Sequence, residues 1–306
     1  MSFESLNSRR APTSRALVLA SCCVGLASPM WLLSAPVSAQ DLPAAPQQTG
    51  GPVLDEPHSE NATYDIQNPF ALIPRLPIEN QFDFDAGSDR DSMRYALRPR
   101  PVIPLRLTED LALITRTTFN IVYQEDGLAA GDSDEFGLGD TDMELFLSPR
   151  RAAAGGTLVY GGGPILRFDT TTNDALGSDK WGAGPTAVVV WQPARMDASS
   201  GWTFAFFANH LWGVGNSDND ELDLTYLQPL ASYTFETGLS LGLDTQSTYD
   251  WHNDDWTVPV NLTLSQSFEL GGQPIVATVG GRYYAQQPED GPHWGGQLSF
   301  NFLFSD

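Results

Sequence analysis

The stretch "WTVPVNLTLSQSFEL", residues 256–270, decides the fold. Trp256, Val258, Val260, Leu262, Leu264, Phe268 and Leu270 are apolar, and Thr257, Asn261, Thr263, Ser265, Ser267 and Glu269 are polar. Only Pro259 and Gln266 interrupt the alternation. A period of two describes a strand with one apolar and one polar face. The stretch alone does not say which face is the inside, because a two-layered sandwich and a membrane barrel share this pattern. The rest of the chain has to choose.

Short alternating runs with turn signals between them recur from about residue 76. Twelve strands are predicted, over 76–86, 93–107, 111–123, 137–147, 157–168, 181–191, 202–212, 221–234, 238–250, 256–269, 274–284 and 294–304. The connections fall into two classes. One is short or moderate ("TED", "PRRAAAGG", "QPARMDASSG", "ETG", "GGQ"), and the other is acidic ("DAGSDRDS", "QEDGLAAGDSDEF", "DTTTNDALGSDK", "VGNSDND", "HNDD", "QQPEDGPH"). They alternate along the chain, as an even-stranded up-and-down barrel requires. Trp181, Trp212, Trp251, Trp256 and Trp294 fall at the acidic-loop ends, and Trp191 and Trp202 at the opposite ends. Indole rings gather at the two boundaries of a bilayer, whereas a sandwich usually buries a central Trp. The expected fold is therefore all-β: a transmembrane, up-and-down antiparallel barrel of about twelve strands with its apolar face towards lipid.

The ends and the composition agree. Residues 1–39 read as an export signal: Arg9, Arg10 and Arg15, an apolar run, and "VSA" before Gln40. Residues 40–74, rich in Pro, Gln, Ala and Gly, read as an irregular periplasmic lead, and 75–306 as the barrel. Both cysteines, Cys22 and Cys23, lie in the signal, so the exported part has no disulfide with which to staple itself. The formal net charge is −22; removing the signal, with three Arg and one Glu, makes it −22 − 2 = −24. Such an excess excludes nucleic acid as a partner, since phosphate binding needs a basic surface. Fifteen Arg stand against the single Lys180, and Arg is the residue suited to fixed, planar ion pairs.

Carrying the parity of 256–270 through the other strands places Arg94, Arg98, Arg100, Arg106, Arg116, Arg167 and Arg282 on the lumen side. Asp83, Asp85, Asp140, Asp142, Glu144 and Asp244 share it, with Arg116 across from Glu144. Two readings fit the cluster: ion pairs that fill a rigid barrel, or a charged constriction that selects solutes. Inward Gly161, Gly163, Gly182 and Gly184 leave room to widen the lumen or to admit a loop or the 40–74 segment. Pro99, Pro101, Pro164, Pro185, Pro229 and Pro259 each remove a ladder donor, so breaks or bulges are expected at several.

No catalytic set, metal site or cofactor motif is evident. "NSDND" (216–220) and "DSDE" (132–135) resemble fragments of calcium loops but lack the Gly and distal Glu of an EF-hand; a solvated acidic rim, bridged to lipopolysaccharide phosphates by divalent cations, is the simpler expectation. His210 falls on the lipid-facing parity, with Leu222 and Leu224 as its expected neighbours on the next strand. The closing "FNFLF" suits the outer-membrane assembly machinery.

At "NPFALIPRLPIENQFDF", "LRPRPVIPLRLTEDLALITRT", "EFGLGD", "GSDKWGAGPTAVVV", "LQPLASYTF" and "STYDWHNDDWTVPVNLTLSQ" the chain resembles bacterial outer-membrane proteins classed with a meta-cleavage (MetA) pathway of phenol degradation. Members are often labelled transporter, or misleadingly neuromedin U. The resemblance runs from about residue 66 to the end and implies a Gram-negative outer-membrane barrel with a transport role, the solutes being hydrophobic or aromatic by class name alone. It assigns no active residue. The function expected is a non-enzymatic passive channel for small solutes. The alternatives are a non-conducting structural or adhesive barrel and, more remotely, an interfacial lipid hydrolase.

Overall fold

The computed structural model describes residues 62–125, 133–194, 198–215 and 222–304. The segment read as an export signal, most of the lead and "NSDND" lie outside them. A short helix, α1 (Ala62–Ile66), is followed by twelve antiparallel strands. These are β1 (Arg75–Ala86), β2 (Ser92–Pro99 and Val102–Arg106), β3 (Leu111–Thr118 and Ile121–Gln124), β4 (Glu135–Leu138 and Thr141–Pro149), β5 (Leu158–Phe168) and β6 (Gly182–Trp191). They continue as β7 (Gly201–Gly213), β8 (Asp223–Thr234), β9 (Leu239–Thr245 and Ser247–Asp250), β10 (Asp255–Leu270), β11 (Gln273–Gln286) and β12 (Trp294–Leu303). Each strand pairs with its neighbours in sequence, and β1 pairs with β12 from Arg75↔Leu303 to Phe84↔Trp294. The sheet is thus a closed barrel with no free edge.

The opening question has a plain answer. On β10, Leu262, Leu264, Phe268 and Leu270 are 55%, 42%, 44% and 68% exposed, while Asn261 is 0% exposed. The apolar row is on the outside and the polar row on the inside. Val279 on β11, Leu298 on β12, and Leu241 and Leu243 on β9 extend the outward apolar band. Among the described residues no helix is long and apolar enough to cross a membrane, which has no bearing on strands.

The expected breaks occur, and proline causes the clearest. Between the halves of β2, Pro99 and Pro101 have no N–H to give, and the Arg100 N–H turns to the Pro77 carbonyl at 2.8 Å. At Pro259 the β10–β11 register shifts, and β9 is interrupted at Gln246, across from the stretch of β8 that holds Pro229. Pro164 and Pro185 face each other without a break. Between β3 and β4, pairing runs from Arg116↔Glu144 to Thr118↔Asp142 and resumes one step out of register at Ile121↔Leu138. Residues 139–141 thus oppose 119–120, one extra residue of the bulge type.

Residues 62–74, read as part of an irregular lead, begin with α1 and pack inside the barrel, a placement that the inward glycines leave open. Phe70 is 1% exposed and packs in the lumen with Val102, Ile114, Phe146, Val188 and Phe207. Its ring meets Phe146 edge-on at 6.0 Å between centroids. A Cβ on Gly161 would lie 2.5 Å from that ring, so the bare glycine is what admits it. Ala71 and Ile73 pack against Val276 and Leu303, with Ala62 and Ile66 alongside. The segment crosses the short-turn half of the barrel and narrows it, leaving a cavity of about 200 Å³ beside Phe70.

Candidate functional site: the charged lumen

Beyond Phe70, towards the acidic loops, the lumen opens into a cavity of about 680 Å³. Its walls are the inward rows of the strands, and ion pairs knit those rows together. Arg116 and Glu144 form a two-pronged pair across β3 and β4, with one contact at 2.7 Å. The Arg116 guanidinium also lies 4.5 Å from the centre of the Phe207 ring. Arg167 grips Asp142 through Nε at 2.8 Å and Nη2 at 3.0 Å, with Asp140 at 3.9 Å. Arg98 and Arg100 share Glu79 at 3.7 and 3.5 Å. Arg98 further donates to Gln81 and Asn120 at 2.5 and 3.2 Å.

The opposite arc is a hydrogen-bonded chain. Tyr284 donates to Asp83 at 2.8 Å, and Arg282 lies 3.9 Å from the same carboxylate. Arg282 donates to Asn261 at 2.7 Å, and Asn261 and Gln228 each donate to Asp244 at 3.1 Å. Buried charges are tolerated only when paired and hydrogen-bonded, and here nearly all are. Arg75 donates to the Ala71 and Pro69 carbonyls at 3.3 and 2.9 Å and has no carboxylate partner among the described residues, Arg100 leaves its Nε without an acceptor, and Arg94 is the least satisfied. Among the described residues it has no ion-pair partner, and its buried Nε has no acceptor. Asp83, directly opposite Arg94 on β1, already accepts from Gln81 and Tyr284.

Loop 169–181 folds over part of the mouth. Leu176 is 2% exposed and sits against β4, where a Cβ on Gly137 would come within 3.0 Å of it. Asp140 holds the loop by accepting from Thr171 at 2.9 Å and from the Ser178 N–H and hydroxyl at 2.7 and 2.6 Å.

Of the residues expected in the lumen, Arg94, Arg98, Arg100, Arg116, Arg167, Arg282, Asp83, Asp140, Asp142 and Glu144 line the cavity, and Asp244 is bound to Gln228 from it. Arg106 does not: it is exposed at the short-turn end of β2. Asp85 does not either. A bulge between Asp83 and Ala86 turns it outward, where it accepts from the Trp294 indole at 2.8 Å. Trp181, Trp191, Trp202, Trp212, Trp251 and Trp294 are each about half exposed, and Trp256 less so. Trp191 and Trp202 both stack on Phe204 at 5.5 Å, and Tyr249 lies 4.8 Å from both Trp251 and Trp256.

Sequence reasoning placed Asn261 on the inward face without giving it a role, and missed Glu79, Gln81, Asn120, Gln228, Tyr226 and Tyr284. Most share the parity of a neighbour that was found, Glu79 and Gln81 with Asp83, but a reading confined to charge passes over neutral polar groups. It also misphased β8. His210 pairs with Thr225 and does not have Leu222 and Leu224 as its outward neighbours; Leu224 lines the cavity. No group of three or more His, Cys, Asp or Glu side chains able to hold a metal occurs among the described residues.

Fold and lumen together define a closed antiparallel barrel, charged and hollow at one end and narrowed at the other. Among solved structures the chain is similar to the COG4313 outer membrane channel from Pseudomonas putida F1, at 17% identity over 86% of this chain and 100% of that one, with a TM-score of 0.57. It also matches the KdgM porin (10% identity, 76% and 99% covered, TM-score 0.45) and outer membrane phospholipase A from Escherichia coli (14%, 81% and 99%, 0.46). No family model matches, and no curated protein matches. At these identities the likeness is one of fold.

Proposed function

We propose that this chain is an outer-membrane channel for small polar solutes, exported by its N-terminal signal and seated with the acidic loops outside. The observation that carries this is the inversion of the barrel. Leucine and phenylalanine rows face outward, and a cavity of about 680 Å³ lined by paired charges lies within. Only a hydrocarbon surround makes that arrangement favourable, and closure of the sheet leaves no free strand edge in it. The deep lumen prefers anions, because its carboxylates are held by arginine, amide and phenol donors while the Arg94 guanidinium is uncommitted. The acidic loops concentrate cations only at the mouth. The charged lining argues against the aromatic solutes suggested by resemblance.

One observation favours the non-conducting alternative: residues 62–74 narrow the short-turn half. Planar-bilayer recording of the full exported chain beside one lacking 62–72 separates the two. Current steps in either, with anions carrying the larger share, support the channel; silence of both at every salt concentration leaves a structural barrel.

A further inference from the structure

The outward wall carries a second constellation, outside the lumen and unused by solute passage. His210, on the outward row of β7 beside Trp212, has Nδ1 2.8 Å from Thr225 Oγ1 on β8. The Trp251 indole N–H reaches the same hydroxyl oxygen at 2.8 Å. His210 Nε2 lies 3.0 Å from Asp223 Oδ1. That last contact is off the hydrogen-bond line, and both atoms are shielded from solvent with no other partner. The register places all three on one patch: Thr225 opposite His210, and Asp223 opposite Trp212.

The protons follow from the chemistry of each group. An indole N–H only donates, so Oγ1 accepts from Trp251. The single Thr225 proton is then free to point at Nδ1, which leaves the neutral imidazole protonated on Nε2, towards Asp223. This is the order of a nucleophilic hydroxyl, a general base and an orienting carboxylate. The outward rows of this barrel are mostly apolar or aromatic, with isolated polar residues such as Asn80, Thr115 and Gln266, and packing alone would be served more cheaply by leucine.

The geometry points to Thr225, His210 and Asp223 as an acyl-transfer site on the outer wall, acting on carboxylic esters of long-chain acids at the membrane–water boundary. It shares with the channel reading only that this wall meets lipid. Thr225 Oγ1 adds to the ester carbonyl as its proton passes to His210 Nδ1. The adduct collapses, the bond to the alcohol oxygen breaks, and the alcohol leaves with the proton from Nδ1. Water, giving its proton to the same nitrogen, then cleaves the acyl-threonine; the carboxylic acid departs and the proton returns to Oγ1. The Trp251 N–H is a donor already at the oxygen beside which negative charge develops.

The test uses the full exported chain, folded in detergent micelles, with folding checked by heat-modified gel mobility. A medium-chain p-nitrophenyl ester and a diacyl glycerophospholipid are the substrates, and a fluorophosphonate is the covalent probe. Hydrolysis is expected, with the probe mapped to Thr225. T225V and H210A should each lower the rate about 100-fold. T225S should keep most of it, and D223N should lose about tenfold. Equal rates in wild type and T225V overturn the proposal, as does the absence of both turnover and adduct in folded wild-type protein. Bilayer conductance of T225V should match wild type, so failure here is separable from failure of the channel reading.

Discussion

The two halves of the lumen are built from the same strands and hold themselves rigid in opposite ways. Towards the acidic loops, Arg116, Glu144, Arg167 and Asp142 lock across strands by charge and leave the cavity of about 680 Å³ between them. Towards the short turns, Val102, Ile114, Val159, Val188 and Val190 face inward and need an apolar partner, which Phe70 supplies. Polar walls can stay wet and open; apolar walls cannot be left bare. The contrast shows why the cavity is about 680 Å³ at one end and about 200 Å³ at the other, and it can be attacked from either side.

The largest effect is expected from removing the filler. A chain lacking residues 62–72 should show single-channel currents several times those of the intact chain, and unchanged current would mean that the segment does not occlude. Glu144→Ala strands the buried Arg116 guanidinium, and denaturant unfolding should register a loss of about 3–5 kcal/mol. Should stability stay within about 0.5 kcal/mol, the charged half does not brace the barrel. Gly161→Leu tests the seam between the halves. Its side chain would occupy the place of the Phe70 ring, so conductance should rise towards that of the deletion while Arg116–Glu144 stays intact.

Arg94→Ser should leave folding unaltered and lower the anion-to-cation permeability ratio measured by reversal potential; an unmoved ratio would remove Arg94 from selectivity. The smallest effect concerns loop 169–181. Asp169 beside Asp179 raises the Asp179 carboxyl above its ordinary value. A raised acid is most favourable to the folded loop when protonated, and that contribution is lost as pH rises through its folded value. Proteolysis of the loop should therefore slow on acidification through the carboxylate range, and Asp179→Asn should flatten the response.

Strand count and most of the inward rows were legible because a barrel repeats one simple rule, a period of two, that holds between the bulges. The Arg116–Glu144 pairing was readable from hairpin register even though a bulge at residues 139–141 shifts the loop-end register by one. The same rule failed where a single residue changes phase. Asp85 is turned over by a bulge, and β8 was read one residue out, which hid Thr225 and Asp223 from His210. Phe70 was missed for a different reason. "NPFALIP" is too short to show a period, and its burial depends on Gly161, some ninety residues further along the chain.

One covalent fact about the filler governs how it can behave. Pro74 joins it directly to β1, and β1 is half of the closing pair with β12. A cork on so short a leash cannot diffuse away. Its local concentration at the socket stays in the millimolar range or above, so reseating is rapid, needs no helper, and proceeds at a rate indifferent to how much protein the membrane holds.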